Sequence, residues 1–74
     1  MKRTFFKSSA LRTGGYDKAS QTLELEYTNG GIYQYFPVPP EVYDEFLKAE
    51  SKGKFINLHI KPYFQCREIR RRTA

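Results

Sequence analysis

Cysteine and histidine occur once each, at Cys66 and His59, and tryptophan is absent from the 74 residues. One cysteine excludes an intramolecular disulfide, and a single Cys with a single His falls short of the ligand set of a structural zinc site. No apolar run nears the roughly 20 residues that a membrane-spanning helix needs. The opening Met1-Lys2-Arg3-Thr4-Phe5-Phe6-Lys7 is basic but leads into no apolar stretch of signal-peptide length. A reducing, cytoplasmic setting is the expectation, with Cys66 as a small, partly buried hydrophobe. Internal repeats and low-complexity linkers are missing too. A single domain is expected, with its core at about residues 8–66 and flexible ends at 1–7 and 70–74.

A chain this short closes one modest core, and disulfide or metal staples are unavailable to it. Six phenylalanines and six tyrosines compensate, since each buried ring removes about 150–250 Å² from water. Charge is segregated. Lys2, Arg3, Lys7, Arg12 and Lys18 against Asp17 give residues 1–18 a net +4. Glu24, Glu26, Glu41, Asp44, Glu45 and Glu50 against Lys48 give residues 19–50 a net −5. Lys52, Lys54, Lys61, Arg67, Arg70, Arg71 and Arg72 against Glu68 give the remainder +6. If the two basic ends lie together, they form a cationic face suited to phosphate backbones; if they lie apart, the charge serves solubility.

Gln21 to Thr28 alternates, placing Leu23, Leu25 and Tyr27 on one side and Thr22, Glu24, Glu26 and Thr28 on the other, the pattern of a half-buried strand. Asn29-Gly30-Gly31 supplies a turn, and Ile32-Tyr33-Gln34-Tyr35-Phe36 suits the return strand. An earlier strand fits Ala10 to Tyr16, turning at Asp17 to Ser20, with Gly14-Gly15 as a bulge or a point of close approach. A two-residue loop pairs Leu25 with Gln34 and buries an amide. A three-residue loop with Gly31 left-handed pairs Tyr27 with Tyr33 and Leu25 with Tyr35, and is preferred because an unpaired buried amide costs about 1–3 kcal/mol. Ile32 and Phe36 then face the other side, where the terminal segment or a partner can cover them.

Pro37, Pro39 and Pro40 end the third strand, and Pro40 fits the first turn of a helix with Glu41, Asp44 and Glu45 near its positive pole. Val42, Tyr43, Phe46 and Leu47 form its apolar stripe. Ser51 can cap a second short helix carrying Phe55, Ile56, His59 and Ile60, weakened by Gly53 and ended by Pro62. Residues 63–69 read either as a last edge strand or as an ordered tail. The expected fold is α+β: a three-stranded antiparallel meander followed by two short helices, with a C-terminal edge strand left open.

Over residues 8–64, the segments Gly15-Tyr16-Asp17, Thr22-Leu23-Glu24-Leu25-Glu26-Tyr27, Asn29-Gly30-Gly31-Ile32-Tyr33-Gln34-Tyr35 and Ala49-Glu50-Ser51-Lys52-Gly53-Lys54-Phe55-Ile56-Asn57 resemble the KTSC domain. Tyr33-Gln34-Tyr35 matches the family's central Tyr-x-Tyr. The family is named for a segment at the C-terminus of some lysyl-tRNA synthetases and occurs also as free-standing small bacterial or phage proteins. The resemblance implies the fold and points to RNA binding as a candidate role. It supplies no substrate and no catalytic residue, and the arginines at 70–72 lie outside it.

Catalytic patterns are scarce. His59 has no nucleophile placed near it by sequence and sits on an apolar stripe, the setting of a packed, hydrogen-bonded histidine. Glu24 and Glu26 share a strand face without a second acid-base group, as solvent-facing charge does. Gly53-Lys54 lacks the remaining residues of a phosphate-binding loop. No cofactor, metal or membrane motif is present, and a non-enzymatic binding module is expected. Nucleic acid is the favoured ligand, RNA more than DNA, with phosphate contacts from Lys52, Lys54, Lys61, Arg67, Arg70, Arg71 and Arg72 and base stacking on Tyr33 or Tyr35. The alternative is a protein-interaction adaptor or homodimer docking through an edge strand or the Phe5-Phe6 and Tyr63-Phe64 pairs.

Overall fold

The computed structural model describes residues 3–71. Five strands form one antiparallel sheet in sequential order: β1 (Arg3–Phe5), β2 (Leu11–Asp17), β3 (Thr22–Tyr27), β4 (Ile32–Phe36) and β5 (Gln65–Arg70). The expected meander is β2 to β4, and it lacks the strand that closes each side. β1 falls within the stretch assigned to a flexible end. β5 settles the open question at 63–69 in favour of a strand that runs to Arg70.

The β3–β4 loop has three residues, as preferred, but it is set one residue earlier. Tyr27 N–H donates to Gly31 O at 2.8 Å, Gly30 N–H donates to Tyr27 O at 3.0 Å, and Gly30, not Gly31, takes the positive φ of 94°. Asn29 favours this placement, because its Oδ1 accepts from Gly31 N–H at 2.9 Å and builds the turn locally. Leu25 therefore pairs with Tyr33 and Leu23 with Tyr35. Relative to the expected pairing this is a slip of two, which preserves side-chain parity, so Tyr33 and Tyr35 still share the leucine face. The strand irregularity lies between Leu11 and Thr13 rather than at the glycine pair. Gly14 marks the close approach: a Cβ there would lie 2.7 Å from the Phe6 ring.

Helix α1 (Pro40–Lys48) starts with Pro40 in its first turn, and α2 (Lys52–Phe55) is capped by Ser51, whose side chain accepts from Lys54 N–H. The chain then widens into a π-helical turn (Ile56–Ile60), with Lys61 N–H reaching back to Ile56 O at 2.8 Å. These elements cover the leucine face. Leu11, Leu23, Leu25, Tyr35, Val38, Phe46, Ile56 and Ile60 are the buried core. Phe6 meets Phe46 edge-on at 5.6 Å between ring centroids, which brings the segment after β1 into that core. The stripe of α1 is narrower than its pattern, since Leu47 is exposed.

Two further expectations are corrected. His59 is exposed, with its ring 4.9 Å from that of Phe55 between centroids, because the wide turn brings Ile56 and Ile60 to the core. Cys66 is exposed on the edge strand rather than partly buried. Of the two placements left open for the basic ends, the sheet order gives the separated one, with β1 and β5 at opposite edges. Among the described residues, no helix is long and apolar enough to cross a membrane.

Candidate functional site

The two faces of the sheet differ. On the face away from the helices, both basic edges lean toward the glutamates of the central strand. Arg3 pairs with Glu24 and donates to Thr13 Oγ1 at 3.1 Å, and Gln34 Nε2 donates to Glu24 Oε1 at 2.9 Å. Glu26 accepts from Arg70 at 3.0 Å and from Thr13 Oγ1 at 3.2 Å, with Arg12 at 4.0 Å. The glutamates do face the open side, yet their side chains are only 14% and 16% exposed. Gln34 thus finds a polar partner there, which is the physical reason for the parity of β4. This face is a satisfied ion-pair lattice whose guanidiniums are mostly occupied.

The leucine face carries a different feature at its β4–β5 end. Tyr27, Tyr33, Tyr35, Asn29, Lys61 and Cys66 line an open pocket of about 440 Å³. Strand alternation positions it: Tyr27, Tyr33 and Tyr35 share parity, and Cys66 stands opposite Tyr35 across the β4–β5 ladder. The hydroxyls of Tyr27 and Tyr35 are 2.9 Å apart, and the rings of Tyr27 and Tyr33 meet edge to face at 5.6 Å. Lys61 follows the π-helical turn, with its Nζ 5.9 Å from the centroid of the Tyr27 ring. Tyr33 donates to Glu68 Oε2 at 3.3 Å, and Glu68 also pairs with Arg71 at 3.5 Å.

Burial raises the pKa of Tyr27, and burial together with the hydrogen bond to Tyr27 raises that of Tyr35 well beyond the ordinary tyrosine range. Both phenols are therefore neutral at neutral pH. Lys61 supplies the positive charge among the lining residues, and the aromatic faces supply stacking surface.

Of the residues expected to bind, the structure brings together Tyr33, Tyr35 and Lys61. Lys52 is held by the fold: its Nζ donates to Leu47 O and Ala49 O at 3.0 and 3.1 Å and lies 5.5 and 5.7 Å from the Phe6 and Phe46 ring centroids. Arg70 is tied to Gly30 O and Glu26, and Arg71 to Glu68. Arg67 lies over Phe36 on the opposite face, Lys54 is exposed on α2, and Arg72 lies outside the described residues. Tyr27, Asn29 and Cys66 were missed as pocket residues, although Tyr27 shares its strand parity with Tyr33 and was readable on that ground. Among the described residues, no cluster of three or more His, Cys, Asp or Glu side chains could hold a metal ion.

The KTSC domain model matches residues 7–64, a span that holds every lining residue of the pocket but Cys66. The chain belongs to the KTSC family. A crystal structure of a KTSC domain protein from Yersinia pestis superposes with a TM-score of 0.88 at 38% identity, covering 93% of this chain and 97% of that one. A protein from Tsukamurella paurometabola is 51% identical over 60 residues, 81% of this chain and 90% of that protein. A lysine–tRNA ligase from Nostoc punctiforme is 35% identical over 63 residues, 85% of this chain but only 11% of the ligase. The KTSC unit is thus found both as nearly an entire protein and as a small part of a much longer one.

Proposed function

We propose that this KTSC domain is a non-catalytic RNA-binding module of the cytoplasm that seats an unpaired base against Tyr27 and Tyr33 while Lys61 meets the adjoining phosphate. The observation that carries this reading is the convergence of three tyrosines and one lysine on a single open pocket. A half-buried aromatic surface beside a cation is what single-strand binders use, because every base has a stacking face and every nucleotide a charge. The similar segment in proteins named lysine–tRNA ligase supports RNA over DNA. Fluorescence anisotropy of a short single-stranded RNA, titrated from low to physiological salt beside the matching DNA, tests it. Binding that weakens steeply with salt, and that Tyr33→Ala and Lys61→Gln each reduce, is the expected outcome. No binding to either nucleic acid at low salt defeats the proposal.

A second reading rests on β5, whose six residues are all exposed and whose outer edge is unpaired among the described residues. Such an edge suits strand addition by a protein partner. A second copy suits it less well: antiparallel pairing about a two-fold at Arg67 or Glu68 sets like charges directly opposite. Sedimentation over a range of concentrations separates the cases. A self-associating chain would favour the homodimer, and a monomer that retains RNA favours the first proposal.

A further inference from the structure

We infer that Arg67 and Phe36 form a second nucleotide subsite on the opposite face of the sheet, so that a bound RNA strand crosses the β5 edge instead of running along one face. This inference rests on the proposal that the tyrosine pocket binds RNA. Three observations carry it.

The first is the state of the β5 arginines. Arg70 is committed to Glu26 and Arg71 to Glu68, whereas Arg67 has no carboxylate partner among the described residues. Its guanidinium lies 5.2 Å from the centroid of the Phe36 ring. Resting on an aromatic face uses the π surface of a guanidinium and leaves its N–H edge directed elsewhere, the arrangement in which arginine meets phosphate in a bidentate manner.

The second is a cavity of about 350 Å³ lined by Ser20, Thr22, Gln34, Phe36, Pro37 and Arg67. It holds hydroxyls and a carboxamide that can contact a base edge or ribose, beside a cation and an aromatic ring. Gln34 spends its Nε2 on Glu24, so its carbonyl oxygen is turned to acceptor work.

The third is position. Cys66 lines the tyrosine pocket and Arg67, the next residue, lines the second cavity. Successive residues of a strand point to opposite faces, so the two subsites flank one pleated layer at adjacent positions of β5, the separation of neighbouring nucleotides on a strand that turns around the edge. β5 is the edge strand, so no neighbouring strand among the described residues blocks the crossing. Running across the middle of the open face is unfavourable, because Glu24 and Glu26 occupy it. The arginine edge and the tyrosine edge therefore meet only around β5.

The test is a length series: uridine monophosphate, diuridylate and hexauridylate, titrated by NMR or calorimetry into the wild-type chain and into Arg67→Ala, Arg67→Lys and Tyr33→Ala. Loss of one charge-assisted phosphate contact predicts that Arg67→Ala weakens hexauridylate about tenfold while leaving the mononucleotide within about twofold. Arg67→Lys should restore only part of that loss, since a lysine cannot reproduce the fork. Tyr33→Ala should weaken every length. Unchanged hexauridylate affinity in Arg67→Ala, or an equal loss at all three lengths, overturns the second subsite and leaves the tyrosine pocket standing. Failure of the wild-type chain to bind any of the three overturns both.

Discussion

Tyr27 and Tyr35 approach through their hydroxyls to 2.9 Å across the β3–β4 hairpin, with Tyr35 almost wholly buried and Tyr27 at the rim of the pocket. One phenol is structural and its partner faces the pocket. Removing the Tyr35 hydroxyl should therefore cost about 1 kcal/mol, the typical net worth of a hydrogen bond, and Tyr27→Phe a similar amount. The double variant should cost less than the sum, because both substitutions remove the same bond. Urea denaturation of the four chains measures this, and strict additivity would show that the contact contributes nothing.

The same burial sets a pH limit. The folded pKa values of Tyr16, Tyr27, Tyr35 and Tyr43 are all raised, chiefly by desolvation. Above about pH 10 the unfolded chain loses phenolic protons that the folded chain retains, so stability falls as pH rises. Below that pH these groups contribute their full stabilisation. Urea midpoints taken from pH 8 upward should stay level and then decline from about pH 10, with a shallower decline in Tyr35→Phe.

Glu24 should prove far more sensitive than Glu68. Glu24 serves Arg3 and Gln34 from a mostly buried position, and its loss strips the Gln34 amide of its acceptor and Arg3 of its carboxylate. Glu24→Ala is expected to cost about 1–3 kcal/mol. Arg71→Ala, which breaks an exposed ion pair with Glu68, should fall within about 0.5 kcal/mol of wild type. Thermal unfolding in low and high salt distinguishes the two.

Lys52 is a helix cap by its contacts, since it satisfies two carbonyls at the end of α1. Lys52→Met should lower stability by about 0.5–1.5 kcal/mol while changing RNA affinity less than Lys61→Gln does. A larger affinity loss from Lys52→Met would move the phosphate path to the helical side.

Gly14 has no room for a side chain beneath Phe6. Gly14→Ala should cost about 1–3 kcal/mol through overpacking. Combined with Phe6→Ala, which removes the obstructing ring, it should cost less than the two changes summed.

What could be read from the sequence follows from which residues alternate. β3 alternates because one face is covered and the other solvated, and Pro39-Pro40 with an acidic first turn marks α1. β5 reads Gln-Cys-Arg-Glu-Ile-Arg because an exposed edge strand has no covered face to impose a pattern. β1 has three residues, too few for a period, and its neighbour Phe6 rather than a strand residue enters the core. The hairpin faces were legible and the register was not, since either of two adjacent glycines can take the left-handed position and only the Asn29 contact chooses Gly30. Lys61 escaped association with the tyrosines because the spacing of Ile56 and Ile60 reads as an α-helix, whereas the wider π-helical turn carries Lys61 to the ring of Tyr27.

The most direct test of the account is amide chemical-shift mapping of the full chain with a short single-stranded RNA. Perturbations concentrated at Tyr27, Asn29, Tyr33, Lys61 and Cys66 are predicted. Shifts confined to the helix surface at Lys54 and the arginines after β5, with the tyrosine pocket silent, would contradict it.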